Sequence, residues 1–282
     1  SSALFLRDRD PERETWDGPR LGVERAVAAL AVDEAFSIRS FDEKLPDFLE
    51  NHRRVHYRLG FDRRFDERLL KALDVVRVRS RRGVECPSEI VDPGVSLHEM
   101  RLRKTPAEID IMRRAGAITR EAHLAAMKVA RPGRYEYEVE AELLRVFRAH
   151  GSERPAYGSI VGSGPNATIL HYRKNDRRLE EGDLLLIDAG AEYGYYASDV
   201  TRTFPVSGTF TPAQREIYEV VLESQLAAID AVRPGVTLDA IHDVAVSVLV
   251  DGLLRLGLLT GDKQEILAKG DYKTFYMHRT SH

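Results

Sequence analysis

The alternation of apolar and polar positions divides the chain into short strand-like runs and longer helical ones. Residues 3–7 read as a strand, residues 22–30 as a helix and residues 35–38 as a second short strand. Residues 45–50 and 66–73 carry helical spacing, with Leu69, Leu70 and Leu73 on one face. Val75, Val76 and Val78 are β-branched and predict a further strand. This alternation implies a small α/β unit over residues 1–100. Turn residues then gather at Pro87 and at Asp92-Pro93-Gly94. Beyond them Thr105-Pro106-Ala107-Glu108 is a helix start: Thr105 caps, Pro106 suits the first helical position and Glu108 completes a capping box. That helix runs to about Val129, and a second covers residues 137–149. Residues 159–162 and 167–171 predict strands around Gly162-Ser163-Gly164-Pro165. Two more helices are expected over residues 212–232 and 238–256, and residues 275–278 predict the start of another strand. The order helix, helix, hairpin, then helix, helix, strand suggests a structural duplication without a sequence repeat.

Between the two helix pairs lies LLLIDAGAEYGYYASDVTRTF. Residues 184–188 are apolar and read as a buried strand, and residues 195–204, rich in Tyr, Val, Thr and Phe, read as its partner. Tyr193-Gly194 suits a two-residue turn, with glycine supplying positive φ. Asp188 and Asp199 are equidistant from such a turn, so they are expected to face each other directly across the hairpin, with Cβ atoms roughly 4.5–5.5 Å apart. Facing carboxylates repel, and divalent cations offset that repulsion. A register slipped by one residue would instead send the two acids to opposite faces, and solvated hairpin acids are a further alternative.

Composition narrows the class. The chain has 282 residues, 43% hydrophobic and 31% charged, with 42 basic against 45 acidic side chains and a formal net charge of -3. That balance argues against a general nucleic-acid binder. The single cysteine, Cys86, excludes a disulfide framework or cysteine zinc cluster, reads as inert, and fits a cytoplasmic location. No apolar run approaches a membrane span, and the first ten residues lack signal-peptide features. The chain opens within a strand-like run and ends on His282 directly after a patterned segment, which predicts a longer parent protein. The glycines of Gly162-Ser163-Gly164 lack the Lys-Ser/Thr of a phosphate loop and read as a turn.

Several blocks together resemble the pita-bread metallopeptidases, and within them the Xaa-Pro aminopeptidase (aminopeptidase P) group, with the prolidases as near relatives. They are LHEMRLRKTPAEI at 97–109, IVGSGPNATILHY at 160–172, LLLIDAGAEYGYYASDVTRTFPVSG at 184–208, FTPAQREIYEVVLES at 210–224 and YMHRTSH at 276–282. The resemblance implies an α/β (α+β) chain: a partial N-terminal domain over 1–100, then a pita-bread catalytic domain over 101–282, truncated at its C-terminus. It implies two divalent metal ions, with Asp188 and Asp199 (the bridging ligand) and His282 as ligands, and two glutamate ligands that no segment of this chain supplies. His171 and His278 correspond to catalytic, substrate-pocket histidines. Tyr157 and Ser159 would line the same pocket, with packing an open alternative. Oxygen-rich ligation with one histidine suits Mn²⁺, with Zn²⁺ or Co²⁺ as alternatives. The implied activity is hydrolysis of the bond between an N-terminal residue and a following proline; the alternatives are an Xaa-Pro dipeptidase and a non-catalytic peptide- or partner-binding protein. The implied partner is a peptide with proline in second position, with no nucleic acid and no membrane. A homo-oligomer, dimer or tetramer, is also implied, toward which Trp16 in a Gly-Pro-flanked loop could reach; a local core anchor is the alternative. The remaining histidines, His123 among them, read as surface or packing residues.

Overall fold

The computed structural model describes residues 1–280. His282, expected above to ligate metal, lies outside the described residues. The chain divides into two compact units, Ser1–Lys104 and Thr105–His282.

The first unit contains β1 (Ala3–Leu6), α1 (Pro11–Asp17), α2 (Val23–Leu30), β2 (Glu34–Ser37), α3 (Phe41–Leu49), β3 (Arg54–His56), α4 (Arg63–Arg79), β4 (Glu89–Val91) and α5 (Gly94–Leu102). The strands form two parallel pairs, β1 with β2 and β3 with β4. Phe5 packs on Phe36, Phe41 and Phe48 with ring centroids 4.8–5.9 Å away, and Phe36 and Phe48 lie 6.0 Å apart. The strand expected at Val75–Val78 is instead the last part of α4. Asp62 caps that helix by accepting from the backbone N–H groups of Arg64 and Phe65. Leu69, Ala72, Leu73 and Val76 then fall on one buried stripe, leaving Val75 and Val78 exposed. The helical apolar period overrides the local β preference of three valines. Trp16 also departs from its expected setting: it lies in α1 and is 85% exposed, so it anchors no core.

The second unit begins with α6 (Pro106–Val129) and α7 (Glu136–Ala149), continues through β5 (Arg154–Pro155), β6 (Ile160–Ser163), β7 (Leu184–Ala189), β8 (Ala191–Tyr193), β9 (Tyr196–Ala197) and β10 (Val200–Pro205), and proceeds to α8 (Pro212–Ala231), α9 (Leu238–Arg255) and α10 (Lys263–Lys269). Both parts of the Thr105/Glu108 capping box are formed, and Thr211 with Gln214 repeats the device at the start of α8. β7 is the centre of an antiparallel sheet ordered β10-β7-β6, and its alternation decides where everything else goes. Leu185, Ile187 and Ala189 are buried in one cluster with Ile118, Ala122 and Ala126 of α6 and Val139, Leu143, Val146 and Phe147 of α7. The side chains between them, including Asp188, are turned to the opposite face.

Two other expected strands are absent. Residues 167–171 belong to a 3₁₀ turn over Gly164–Thr168 and the bend after it, opened by Gly164 at φ 51° and by Pro165. Residues 275–278 follow a short 3₁₀ turn, Asp271–Thr274, without a strand; no described strand pairs with this aromatic run. α8 and α9 cross closely: a Cβ on Gly252 would lie 2.2 Å from Val220 Cγ1, and Ser224 Oγ donates to Ala245 O at 2.9 Å.

Candidate active site

The hairpin register differs from the expected one. The turn is Gly194-Tyr195, both at positive φ (54° and 68°), as a type I′ turn requires. Tyr193 therefore pairs with Tyr196 and Glu192 with Ala197, and further along Ala189 pairs with Val200 and Asp188 with Thr201. Asp199 is not the direct partner of Asp188. Moving the turn by one position slides one strand past the other by two residues, which preserves the face. Asp199 stands two residues before Thr201, so it is a diagonal neighbour of Asp188 on the same side, a relation that corresponds to about 7–8 Å rather than direct contact.

The two carboxylates meet at a third side chain. Tyr157 Oη donates to Asp188 Oδ1 at 2.5 Å and lies 2.9 Å from Asp199 Oδ1. The two Oδ1 atoms therefore cannot be farther apart than these two bonds end to end. Tyr157 sits just before β6, and Ile160 of β6 pairs with Asp188, so the sheet itself brings the phenol to the acids. Burial, then the hydrogen bond to Asp188, pushes the Tyr157 hydroxyl well above the ordinary tyrosine range. It stays protonated and keeps its proton between two carboxyl groups.

Behind the acids the backbone is pinched. A Cβ on Gly190 would lie 1.7 Å from Ser198 O, so only glycine permits this approach. Helix α6 grips both sides of the pinch. The Ala191 N–H donates to Thr119 Oγ1 at 2.9 Å, Thr119 and Ser198 share a short hydroxyl–hydroxyl bond, and His123 Nε2 lies 3.3 Å from Ala189 O. A carbonyl only accepts, so Nε2 carries the proton, and burial holds the His123 imidazole below its usual pKa, hence neutral. Its Nδ1 is buried without a partner among the described residues. Thr119 and His123 are one turn apart within the apolar face of Ala115, Ile118, Ala122 and Ala126. Two polar residues at i and i+4 on a buried stripe were the available signal that His123 does more than pack.

The two histidines expected in the pocket stand on irregular segments of this unit. His171 is exposed in the bend after the 3₁₀ turn. His278 is exposed, with its Nδ1 2.7 Å from Arg279 O and its ring edge-on to Tyr276 at 4.6 Å. It borders an apolar cavity of 840 Å³ lined by α8, α9 and residues 275–280. Neither joins the Tyr157 cluster through a described hydrogen bond. Ser159 is buried, its carbonyl accepting from Asn175 Nδ2 at 2.9 Å.

Two convergent carboxylates with a shared phenol donor fit part of an oxygen-rich divalent-cation site. Among the described residues no set of three or more His, Cys, Asp or Glu side chains gathers to complete one.

The chain matches the family "Metallopeptidase family M24" over residues 110–282, and "Aminopeptidase P, N-terminal domain" over residues 1–57. It belongs to metallopeptidase family M24. It is 43% identical over 281 residues to the Xaa-Pro aminopeptidase of Escherichia coli (strain K12), covering 100% of this chain and 64% of that protein. It is 45% identical over 279 residues to the Haemophilus influenzae Xaa-Pro aminopeptidase, covering 99% and 62%. The solved structure of Pseudomonas aeruginosa aminopeptidase PepP superposes with a TM-score of 0.95 at 48% identity, covering 99% of this chain and 63% of that one. Zinc-substituted E. coli aminopeptidase P in complex with product gives 0.94 at 43%, covering 99% and 64%. The chain thus spans 62–64% of the length of these relatives. The expected fold class, a small α/β N-terminal domain followed by a pita-bread domain, is the one these matches support.

Proposed function

We propose that this chain carries part of the active site of a dinuclear-metal exopeptidase that removes an N-terminal residue preceding proline. The observation that carries the reading is the convergence of Asp188 and Asp199 on the Tyr157 hydroxyl, in a chain of a metallopeptidase family. Asp188, Asp199 and His282 would hold the ions, together with the two glutamates that the family resemblance implies. The ions, when bound, supply an activated water and a Lewis acid for the scissile carbonyl. Tyr157 fixes the rotamers of both carboxylates. His171 would donate a hydrogen bond toward the oxygen on which charge develops, and His278 would orient the peptide beside it. One histidine among oxygen ligands suits Mn²⁺ best. The single cysteine supports a cytoplasmic setting, and no helix among the described residues is long and apolar enough to cross a membrane. The 85% exposure of Trp16 supports assembly into a dimer or tetramer in which this ring meets a neighbour.

The test uses a polypeptide that carries this chain together with the two glutamates. With Mn²⁺ it should release the first residue from a tripeptide with proline second, and chelation or Asp188→Asn should abolish release. Activity undiminished by a chelator overturns the proposal. Cleavage confined to Xaa-Pro dipeptides would instead assign the dipeptidase reaction.

A further inference from the structure

Glu136, the first residue of α7, is fully buried. Its Oε1 accepts from Ser163 N at 2.7 Å, Ser163 Oγ at 2.8 Å and Asn166 Nδ2 at 3.3 Å. Its Oε2 accepts from Tyr172 Oη at 2.7 Å and from Arg177 N at 2.9 Å. Such a set of donors demands a group that only accepts, which an ionised carboxylate is and an amide is not. Burying that charge would be costly unpaired. Here the helix N-terminus favours it, and Arg177, whose Nη1 donates to Ser163 Oγ at 2.9 Å, lies beside the same cluster.

The donors come from the start, the middle and the end of one segment, residues 163–177. That segment crosses the surface without regular structure after its 3₁₀ turn, and it carries His171. His171 is exposed, so packing does little to place it; the neighbouring Tyr172 is buried and tied to Glu136. Burial, then the Glu136 hydrogen bond, pushes the Tyr172 hydroxyl up to about 12, so it remains a donor at neutral pH. Tyr172 N donates to Ile169 O at 3.2 Å and closes the bend around His171.

We propose that Glu136 is a positioning residue that places His171 by holding both ends of its loop and the adjacent tyrosine. The inference rests on the pocket role proposed for His171, and a misplacement of about 1 Å at a reacting centre can cost on the order of 10²-fold in rate.

The test reads His171 directly. The chain is labelled at histidine ring carbons, and the His171 signal is assigned by its loss in His171→Asn. Glu136→Gln sets an amide N–H against donors. Tyr172→Phe removes the anchor beside His171 together with the hydroxyl's two 3.3 Å bonds to Asp176, and keeps the other four bonds to Glu136, so it remains informative if Glu136→Gln does not fold. Thr119→Val is the control, a buried hydroxyl lost elsewhere in the same unit. The expected result is a shifted or broadened His171 signal in both loop variants, with His171 unmoved in Thr119→Val. An unmoved His171 signal in folded Tyr172→Phe overturns the proposal, whatever the loss of melting temperature. In a catalytically complete polypeptide, Tyr172→Phe should lower kcat about tenfold or more with KM within about twofold, and should cost nothing further when added to His171→Asn. Turnover unchanged by His171→Asn would overturn the pocket role itself, while the ring signal still decides whether Glu136 places the loop.

Discussion

Gly190 offers the sharpest test of how the two aspartates are held. Replacing it by alanine puts a methyl carbon 1.7 Å from Ser198 O and 2.6 Å from Ser198 C, both backbone atoms that no rotamer can move away. Ordinary contact needs about 3.5 Å, so the two chain segments must part by roughly 1.5–2 Å. Parting them stretches the Ser198 N–H to Ala191 O bond, now 3.0 Å, and the Ala191 N–H to Ser198 Oγ bond, now 3.2 Å. Overpacking costs about 1–3 kcal/mol, and leaving a buried N–H without its acceptor costs about 1–3 kcal/mol more. The sum, about 2–6 kcal/mol, corresponds to a melting point roughly 4–24 °C lower for a unit of this size. Gly182→Ala is the matched control: it sits at φ 86° with nothing within 4 Å of an added Cβ, so it pays only backbone strain of about 1–2 kcal/mol. Thermal unfolding by circular dichroism compares the two, and hydrogen exchange at the amides of Ala191 and Ser198 should accelerate in Gly190→Ala alone. A Gly190→Ala protein that melts no lower than Gly182→Ala, with those amides still protected, would refute the idea that the pinch sets the hairpin.

Thr119→Val keeps the shape of a fully buried side chain but removes the nearer of the two acceptors of the Ala191 N–H and the hydroxyl bond to Ser198, and should cost about 1–2 kcal/mol in urea unfolding. Tyr195→Asn should stabilise by about 0.5 kcal/mol, because Tyr195 is exposed at φ 68° and asparagine tolerates that region better; urea midpoints check it. In the first unit, the hydrogen bond from Arg9, aided by the Arg20 backbone N–H, holds the Glu14 carboxyl at about 2, against 4.5 for an ordinary glutamate. A depressed carboxyl pKa adds stability that is complete above pH 4.5 and drains as pH falls toward about 2. Arg9→Gln should therefore flatten the acid limb of the unit's pH–stability curve in that window, and an unchanged limb would count against the pair.

What could be read from the sequence was what local chemistry decides. The capping residues Thr105 and Glu108 announced α6, and Thr211 stands at the start of α8, because a cap is satisfied by atoms three residues away. Val75–Val78 failed because burial of Leu69, Leu73 and Val76 on one stripe outweighs β propensity, and that burial is a tertiary fact. The segment 167–171 failed for the same reason at longer range: the Glu136 carboxylate that ties down Asn166 and Tyr172 on either side of it belongs to another element, and in the sequence that residue is an ordinary acid just before an expected helix. The hairpin is the instructive middle case. Glycine at 194 was rightly taken for the turn, but it occupies the first central position, and the second is a tyrosine at positive φ that no propensity marks. The pairing of Asp188 was therefore wrong by two residues while its face was right, since side chains alternate with period two and an even slip cannot turn a strand over. Convergence of the acids needed only parity; their separation needed the pinch at Gly190 and the hydroxyls of Thr119 and Ser198, which are contributed by α6 and by the far strand. A pair of acids can thus be legible as a pair while the distance between them is set by residues that never touch it.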